Sequence, residues 1–383
     1  MSPFTSSELE TLLERPIRRL LTREDRQAFS GGRVLITGGG GSVGSELARQ
    51  IAACRPERLT LVDSSELNLF QIERELREQH PALLLDPVLA DVTSEAQVRQ
   101  AVMLARPHVV YHAAAYKHVT MVERAVCASV AVNVLGTMHV VSAARAVGAR
   151  FVLISSDKAA SPTSVMGATK RVAEIVVRQE TVSTFRPIVV RFGNVLGSSG
   201  SVLTIMRERI RQGQPVPVTD PNATRYFMTA GEAVSLVMKT DLLARGAETY
   251  WLDMGAPVLI GELVERLLTL EARAGYARVP IQVVGLRPGE KLREELAEQW
   301  LKVCRTAHPR IWVTRQRATS RGRVADALVR LRRAVAACDA TAALDVMSEM
   351  APEYTVSLEA RELARVQTLH RNGPVYAGEA RSA

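Results

Sequence analysis

A glycine-rich turn between an apolar strand and a helical pattern constrains the fold of this chain more than any other feature. The predicted strand Arg33–Thr37 is followed by Gly-Gly-Gly-Gly-Ser-Val-Gly at positions 38–44, and a helical pattern begins at Ser45. A turn of the form T-G-x-x-G-x-x-G lets the backbone approach a pyrophosphate closely, with the phosphate charge at the N-terminus of a helix. We therefore predict a dinucleotide-binding turn. Its expected contacts are Gly38, Gly41, Ser42, Val43 and Gly44.

The first half of the chain alternates short apolar runs with segments of helical periodicity. The segments 66–78 and 128–147 are examples of the helical pattern. Alternation of this kind, with strands that are apolar almost throughout, indicates an α/β fold with a doubly wound, parallel sheet of the Rossmann type. The predicted strands are Arg33–Thr37, Arg58–Val62, Leu83–Leu89, His108–His112, Arg150–Ser155 and Pro187–Phe192.

The same pattern divides the chain into four parts. Residues 1–30 are predicted to form a helical leader, and residues 31–192 a Rossmann domain that binds the dinucleotide. Residues 193–305 are predicted to form a smaller substrate-binding region, some elements of which return to the sheet, and residues 306–383 a helical tail. Leucines of the leader recur at helical spacing among arginines, so this helix either packs against the protein or lies on a membrane surface.

Composition and charge limit the kinds of partner that this chain is expected to bind. The net charge is +9, but the arginines are dispersed and aromatic residues make up only 4%, so we expect no nucleic-acid partner. An anionic substrate or an acidic membrane surface accounts for the charge. The apolar stretch 101–116 is interrupted by Arg106, Pro107 and His112, so we expect no transmembrane segment. With no signal sequence, a cytoplasmic location is expected. The scattered cysteines predict no metal site.

An acidic residue after the second strand identifies the expected dinucleotide. Asp63 ends that strand, where a carboxylate accepts hydrogen bonds from the adenosine ribose and repels a 2′-phosphate. The next three residues contain no cation to bind such a phosphate, so the sequence favours NAD over NADP. The further residues expected to contact the cofactor are Asp91 and Val92 after the third strand, and Ala113 and Ala114 after the fourth.

The segment after the fifth strand carries the predicted chemistry. Ser156, Asp157 and Lys158 follow the strand, and Met166 precedes Lys170 by four positions. Here the chain resembles the extended short-chain dehydrogenase/reductase superfamily, in which a Ser or Thr and a Y-x-x-x-K motif carry hydride chemistry. Lys170 matches the lysine, but methionine replaces the tyrosine, and a thioether cannot take the proton. The chain is therefore either a non-catalytic NAD-binding regulator or an enzyme with another base.

Longer motifs make the resemblance narrower. Over residues 10 to 355 the chain is similar to the bacterial polysaccharide-biosynthesis branch of UDP-N-acetylglucosamine 4,6-dehydratases. Members of its longer subgroup also have Met for Tyr, and they usually carry transmembrane helices ahead of the catalytic part. We see no such helices here, which leaves a short relative or an excised catalytic domain as alternatives. The matching motifs are Ala114–Val119, Ser156–Ala159, Val165–Arg171, Arg191–Gly200, Thr224–Thr229 and Gly285–Leu292.

This resemblance implies a reaction and the roles of four residues. The sugar is oxidised at C4, loses water across C5 and C6 and is reduced at C6, with tightly bound NAD as hydride carrier. Lys158 would remove the C5 proton, and Asp157 would protonate the departing 6-hydroxyl. Ser156 would relay the C4 hydroxyl proton, while Lys170 would orient the nicotinamide ribose. Because a base must be neutral, we expect burial and nearby cations to depress the pKa of Lys158, opposed by Asp157.

The resemblance also implies how a UDP-sugar is bound. Arg225 and Arg287 would clamp the diphosphate, because guanidinium groups match phosphate oxygens. Asn194 would donate to a phosphate oxygen, Glu290 would accept from the uridine ribose, and Lys117 would face the substrate. A GDP-sugar remains an alternative substrate, and a nucleotide-sugar epimerase an alternative activity on the same fold. A homo-oligomer is expected because it is common in this superfamily.

Overall fold

The computed structural model describes residues 4–18, 20–198, 201–295, 303–314 and 320–369. The strands are β1 (Arg33–Thr37), β2 (Arg58–Asp63), β3 (Leu85–Leu89), β4 (Val109–His112), β5 (Arg150–Ile154), β6 (Ile188–Arg191), β7 (Asn194–Leu196), β8 (Val216–Val218), β9 (Thr224–Arg225), β10 (Phe227–Thr229), β11 (Thr249–Leu252), β12 (Val258–Leu259), β13 (Ile281–Val283), β14 (Val303–Arg305) and β15 (Ile311–Thr314). The helices are α1 (Ser6–Leu13), α2 (Arg23–Phe29), α3 (Ser42–Ala52), α4 (Glu66–Gln79), α5 (Glu95–Ala105), α6 (Val119–Glu123), α7 (Val126–Val130), α8 (Thr137–Ala146), α9 (Val165–Gln179), α10 (Val202–Arg211), α11 (Ala230–Leu243), α12 (Ile260–Arg273), α13 (Arg321–Ala336), α14 (Ala340–Met350) and α15 (Leu358–Leu369).

A nine-stranded sheet forms the centre of the described chain, in the order β3-β2-β1-β4-β5-β6-β11-β15-β14. The strands from β3 to β11 in this order are all parallel to their neighbours. Strand order 3-2-1-4-5-6 is that of a doubly wound Rossmann sheet, in which the order reverses between β1 and β4. The predicted fold class is therefore confirmed. β15 and β14 extend the sheet with antiparallel pairings.

Alternating side chains of the strands pack against helices on the two faces of this sheet. On one face, Val34 and Ile36 lie in a core cluster with residues of α3, α4 and α11. On the other face, Leu35 lies in a cluster with residues of α5, α8 and α9. Because both faces are covered, the central strands are mostly apolar, which is the pattern that predicted them.

The N-terminal leader packs into the protein. Leu9, Leu12 and Leu13 are buried in a cluster with α10 and α12. Beyond α1, Arg15 Nη1 lies 2.7 Å from Glu232 Oε1 on the buried face of α11. The apolar leucines of the leader are thus used in packing within the protein rather than on a membrane surface. Arg19 of the leader lies outside the described residues.

Three late strands return to the central sheet. Thr249–Leu252 pairs with β6, and Val303–Arg305 and Ile311–Thr314 complete the edge. The expectation of a purely helical tail from residue 306 is therefore wrong for Ile311–Thr314, whose short apolar run fits an edge position. The helices α13, α14 and α15 follow, and their apolar side chains share a cluster with α9. The end of the predicted tail, residues 370–383, lies outside the described part of the chain.

One helix among the described residues is long and apolar enough to cross a membrane by length and composition. It runs from Val126 to Ala146, and 61% of its apolar window is buried inside the fold. A single helix of this kind that is mostly buried does not contradict the expectation of no transmembrane segment. The helix contains a π-helical stretch, Ala131–Gly136, and packs against α5 and α9, as a core helix does.

A buried carboxylate connects α9 to two strands of the sheet. Glu174 Oε1 accepts hydrogen bonds from Ser155 Oγ and Arg191 Nε, both at 2.6 Å, and Oε2 accepts one from Arg191 Nη2 at 2.5 Å. Desolvation alone would raise the pKa of Glu174, but the charges of Arg191, Arg171 and Arg178 outweigh it and lower the pKa to about 2. Glu174 is therefore ionised and holds α9 against the ends of β5 and β6.

Replacing Glu174 with glutamine should lower the free energy of unfolding by about 3–5 kcal/mol, because the buried arginines lose their counter-charge. Urea unfolding measures the effect. The control Glu78→Gln removes an exposed carboxylate 4.0 Å from Arg74 and should change stability by less than about 0.5 kcal/mol. The folded pKa of Glu174, about 2, lies below its ordinary value of 4.5, so the stabilisation is present above pH 4.5 and is lost as pH falls towards 2. The difference in the free energy of unfolding between wild type and Glu174→Gln should therefore shrink as the pH falls from 4.5 towards 2. Equal losses of stability in Glu174→Gln and Glu78→Gln would contradict the role given to Glu174.

Candidate functional site

The glycine turn has a backbone geometry that side chains would obstruct. Gly38 has a φ of +66°, and a Cβ atom there would lie 2.7 Å from the backbone nitrogen of Ala114. A Cβ atom on Gly44 would lie 1.9 Å from the carbonyl oxygen of Gly38. Gly41 is the N-cap of α3, whose first turn contains Ser42 and Val43. The turn therefore presents bare backbone beside the helix N-terminus, which fits a pyrophosphate.

Asp63 supports this turn from the neighbouring strand. Its Oδ2 accepts a hydrogen bond from the Gly40 amide at 2.9 Å, and its Oδ1 accepts one from the Ser65 amide at 2.9 Å. A carboxylate oxygen has two lone pairs, so both oxygens can still accept from ribose hydroxyls. The carboxylate thus lies in contact with the turn, as a ribose-binding acid requires.

The other expected cofactor contacts follow the carboxyl ends of β3 and β4. Asp91 is exposed, and its Oδ1 accepts a hydrogen bond from the Thr93 amide at 2.8 Å. Val92 is buried, whereas Ala113 and Ala114 are partly buried beside Gly38. All these residues follow the carboxyl ends of parallel strands, the side of an open α/β sheet at which ligands bind, and Ala113 and Ala114 lie where the strand order reverses. Their roles in cofactor binding stay predictions.

Lys170 lies at the same edge of the sheet, at the end of β5. Its Nζ donates a hydrogen bond to the carbonyl oxygen of Ile154 at 2.7 Å. Desolvation lowers the pKa of Lys170 to about 8, although Glu174 opposes the shift. The ammonium group is therefore charged at neutral pH and fixed to the last residue of β5. Met166, one turn earlier on α9, is 4% exposed and lies in an apolar cluster.

The segment after β5 forms a compact polar cluster. Ser156 Oγ donates a hydrogen bond to Asp157 Oδ1 at 2.9 Å, and Lys158 Nζ donates to the same oxygen at 3.2 Å. The Asp157 side chain is 1% exposed and that of Lys158 is 21% exposed. Asp157 Oδ2 is buried and accepts no hydrogen bond from a described residue. Burial of such an acceptor without a donor is costly.

Three further parts of the chain bring polar groups to Lys158. Asn194 Oδ1, at the start of β7, lies 3.4 Å from Lys158 Nζ. Glu294 Oε1 lies 3.3 Å from the same nitrogen and 3.6 Å from Arg225 Nε in β9. The structure thus brings together Asp157, Lys158, Asn194 and Arg225, which the sequence placed in one site, and adds Glu294.

The protonation of Lys158 differs from the sequence-based expectation. Desolvation lowers the pKa of Lys158, but attraction to Asp157 and Glu294 and the hydrogen bond to Asp157 exceed that effect and the repulsion from Arg225, so the pKa is raised. The expected depression is therefore wrong for the protein without substrate. The attraction to Asp157 is the larger of the two effects that raise this pKa, and Glu294, which the sequence did not reveal, adds a second. Lys158 is an ammonium group in this state.

The loop that carries Arg287 and Glu290 lies against the segment that follows β5. The Glu290 side chain accepts a hydrogen bond from the Arg287 amide at 3.2 Å, and the Arg287 side chain is exposed. Lys291 Nζ donates to the carbonyl oxygen of Ala160 at 3.2 Å. Lys117, which follows β4, is exposed, and its Nζ lies 3.5 Å from Ser198 Oγ. Contacts of Arg287, Glu290 and Lys117 with a substrate stay predictions.

Sequence reasoning missed two polar residues of this region. Glu294 follows the motif that contains Arg287. Its only sequence signal was the pair of adjacent carboxylates that it forms with Glu295 directly after that motif. Asn133 lies in the π-helical stretch, where its side chain accepts from the Tyr116 amide at 2.7 Å and donates to Thr169 Oγ1 at 2.9 Å. A single asparagine in a long apolar helix was the available signal, since a buried amide must find partners.

Comparison with known proteins identifies relatives over most of the chain. A family model described as polysaccharide biosynthesis protein matches residues 34–316. The probable polysaccharide biosynthesis protein EpsC of Bacillus subtilis (strain 168) is 44% identical over 292 residues, covering 75% of this chain and 48% of EpsC. The capsular polysaccharide biosynthesis protein CapD of Staphylococcus aureus is 41% identical over 297 residues, covering 76% and 49%. The chain thus spans about half the length of these two relatives.

More distant relatives include nucleotide-sugar dehydratases and epimerases. The UDP-N-acetylglucosamine 4,6-dehydratase (inverting) of Campylobacter jejuni is 28% identical, over 70% of this chain and 77% of that enzyme. Among solved structures, Pen from Bacillus thuringiensis has a TM-score of 0.70 at 28% identity, covering 79% of this chain and 98% of Pen. The dTDP-glucose 4,6-dehydratase DesIV from Streptomyces venezuelae, solved with NAD and TYD, shares the fold with a TM-score of 0.60 at 20% identity, covering 70% and 88%.

Replacing Gly44 with alanine should weaken NAD binding by about tenfold or more. A strain of about 1.4 kcal/mol is enough to cause a tenfold loss of affinity. The new Cβ atom meets the Gly38 carbonyl oxygen at 1.9 Å, so the turn must open. Calorimetric titration of NAD into nucleotide-free protein measures the change, with thermal unfolding recorded in parallel. The control Gly322→Ala lies in α13, where a Cβ atom meets nothing within 4 Å, and its affinity should equal that of wild type. Wild-type affinity in Gly44→Ala would remove the turn from the cofactor site.

Proposed function

This chain belongs to the polysaccharide biosynthesis protein family, and from that premise we propose that it is an NAD-dependent 4,6-dehydratase of UDP-N-acetylglucosamine. Its product would be a UDP-4-keto-6-deoxy-N-acetylhexosamine, used to build a surface polysaccharide or glycan. The observation that carries the proposal is the contact of Asp157 with Lys158 directly after β5. A carboxylate and an amine at 3.2 Å provide the acid and the base that loss of water needs.

The residues at the sheet edge fit an NAD molecule. The bare turn at Gly38 and Gly44 suits the pyrophosphate, Asp63 suits a ribose with free hydroxyls, and Lys170 suits the second ribose. When bound there, the nicotinamide supplies the hydride acceptor for C4 and the hydride donor for C6. Several neighbours with this fold, including DesIV, are solved with NAD or NADH, which supports the choice of cofactor.

Ser156 and Asp157 can replace the tyrosine as the first base. The hydrogen bond from Ser156 Oγ to Asp157 Oδ1 at 2.9 Å provides a relay from the C4 hydroxyl to the carboxylate. Oxidation at C4 then leaves the C4 hydroxyl proton on Asp157. The same proton passes to the departing 6-hydroxyl, so that water leaves and Asp157 is again a carboxylate. One carboxylate thus acts first as base and then as acid, with Met166 buried in the core.

Lys158 removes and returns the C5 proton. The amine takes that proton after C4 has become a ketone, which makes the C5 position acidic, and the C5–C6 double bond forms as water leaves. When C6 is reduced, Lys158 returns the proton to C5. Lys158 is therefore a neutral amine both before and after these steps. Lys158 must therefore lose one proton before the reaction begins.

Incubation of the NAD-loaded protein with UDP-N-acetylglucosamine should give a product lighter than the substrate by one water molecule. Mass spectrometry of the nucleotide sugar measures this directly. A nucleotide-sugar epimerase would give a product of unchanged mass, and a non-catalytic NAD-binding regulator would give no product. A product of unchanged mass, or none from UDP- or GDP-linked hexosamines, would contradict the dehydratase assignment.

Asp157→Asn and Lys158→Ala should each lower the rate of dehydration by about 10²- to 10⁴-fold, the range for loss of one acid or base group. NAD affinity should remain, because neither side chain belongs to the glycine turn. Initial rates from the mass assay and NAD titration give both values. The matched control Asp86→Asn breaks an exposed pair, 2.8 Å from Arg58, and should turn over as wild type does. A near wild-type rate in either variant would exclude that residue from the chemistry.

A further inference from the structure

A strap of four residues, Gly289–Leu292, runs between the segment that precedes α9 and the short strand β9. At the β9 end, the carbonyl oxygen of Leu292 accepts a hydrogen bond from the Thr224 amide at 2.9 Å. The same oxygen accepts one from Arg225 Nη1 at 3.3 Å. The strap therefore contacts one of the two predicted phosphate ligands directly, and the other, Arg287, lies two residues before its first glycine.

At its other end the strap approaches the N-terminus of α9 too closely for a side chain. Gly289 has a φ of +74°, and a Cβ atom there would lie 2.7 Å from Ser164 Cβ and 3.2 Å from Glu123 Oε1. Both neighbours are buried and bonded to α9, since Ser164 Oγ accepts from the Gly167 amide at 3.1 Å and Glu123 Oε1 from the Val165 amide at 2.8 Å. They cannot move aside without breaking those bonds, so only glycine fits this position.

Two hydrogen bonds fix the strap to the chain between Lys158 and α9. Thr163 Oγ1 donates to the carbonyl oxygen of Gly289 at 3.0 Å. Lys291 Nζ donates to the carbonyl oxygen of Ala160 at 3.2 Å. The strap is therefore attached at one end to the segment that follows the catalytic cluster and at the other to β9.

These attachments set the separation of the two predicted phosphate ligands. Arg287 is held to the strap by a turn, in which its amide donates to the Glu290 side chain at 3.2 Å and its carbonyl oxygen accepts from the Glu290 amide at 3.0 Å. Because each residue spans at most about 3.6 Å, the few residues between Arg287 and Leu292 limit how far the two arginines can move apart. Two guanidinium groups at a set separation match a ligand that carries two phosphate groups.

We propose that this strap makes the site selective for a nucleoside diphosphate over a nucleoside monophosphate, with Gly289 as the positioning residue that places Arg287 relative to Arg225. This selectivity rests on the proposed function, in which a UDP-sugar is the substrate. A diphosphate engages both guanidinium groups and a monophosphate engages one, so only the diphosphate depends on their separation. A side chain at position 289 would lift the strap from Ser164 and displace Arg287, while Arg225 stays on β9, where Nη1 also donates to the Thr224 carbonyl oxygen at 2.9 Å.

The test is Gly289→Ala in the full chain loaded with NAD, with UDP and UMP titrated separately by calorimetry. The affinity for UDP should fall by about 10- to 100-fold, the range for loss of one charged contact. The affinity for UMP should change by less than about threefold, which leaves the affinities for the two nucleotides closer together. With UDP-N-acetylglucosamine, KM should rise far more than kcat falls, because Asp157 and Lys158 do not belong to the strap. NAD affinity should equal that of wild type.

Thr163→Val tests the same attachment without changing the glycine. It removes the hydroxyl that donates to the Gly289 carbonyl oxygen and keeps the shape of the side chain. The affinity for UDP should fall by about two- to fivefold, as expected for one exposed neutral hydrogen bond, and that for UMP should stay unchanged. If Gly289→Ala does not fold, as thermal unfolding would show, wild-type UDP affinity in Thr163→Val overturns the proposal.

The matched control is Gly275→Ala, after α12. This glycine also has a positive φ, +93°, but a Cβ atom there meets nothing within 4 Å, so the variant carries backbone strain without the collision. Its affinities for UDP and UMP should equal those of wild type. Equal UDP affinity in Gly289→Ala and Gly275→Ala overturns the proposal, as do equal losses of UDP and UMP affinity in Gly289→Ala or a wild type that binds UDP no better than UMP. If wild type forms no dehydrated product, the dehydratase function fails, and the comparison of UDP with UMP still decides whether the strap selects a diphosphate.

Discussion

The ionised carboxylate of Glu174 is the interaction on which the geometry of this site depends. It lies on α9 one turn after Lys170, and it accepts hydrogen bonds from Ser155 at the end of β5 and from Arg191 in β6. The polar cluster of Ser156, Asp157 and Lys158 begins at the residue after Ser155, and Asn194 follows soon after Arg191. A single buried anion thus sets the distance between the helix that carries Lys170 and the two strand ends that carry the rest of the machinery. Arg191 also lies over the ring of Trp251 at 4.4 Å, which extends the same constraint to β11.

Most of the cofactor half of the fold could be predicted because its signals are local. The strands β1, β2, β4, β5 and β6 are buried over most of their length, so each is a mostly apolar run with turn residues at its ends. The antiparallel strand Ile311–Thr314 gave no such signal, because its place beside β11 depends on contacts with residues more than fifty positions earlier in the chain. The packing of the leader against α11, through Arg15 and Glu232, is likewise a long-range ion pair.

The site could be predicted only in part, for a similar reason. Asp157, Lys158 and Asn194 stand directly after strands, and parallel strands end at one edge of the sheet, so their proximity follows from the topology. Glu294 reaches Lys158 from a loop that no periodicity describes, and it adds to Asp157 in raising the Lys158 pKa, which was expected to be depressed. Charge effects on a buried amine depend on every neighbour within a few ångströms, and a sequence identifies only the neighbours on the same segment.

The short pairings around Arg225 have a consequence for how the protein handles ligands. β7, β9 and their partners β10 and β12 are two or three residues long and form separate two-stranded ladders, whereas β1, β4 and β5 lie inside the central sheet. Opening a short ladder exposes little apolar surface and costs little free energy, while opening the central strands approaches the cost of global unfolding. The backbone at Asn194 and Arg225 is therefore expected to open more readily than that of β1.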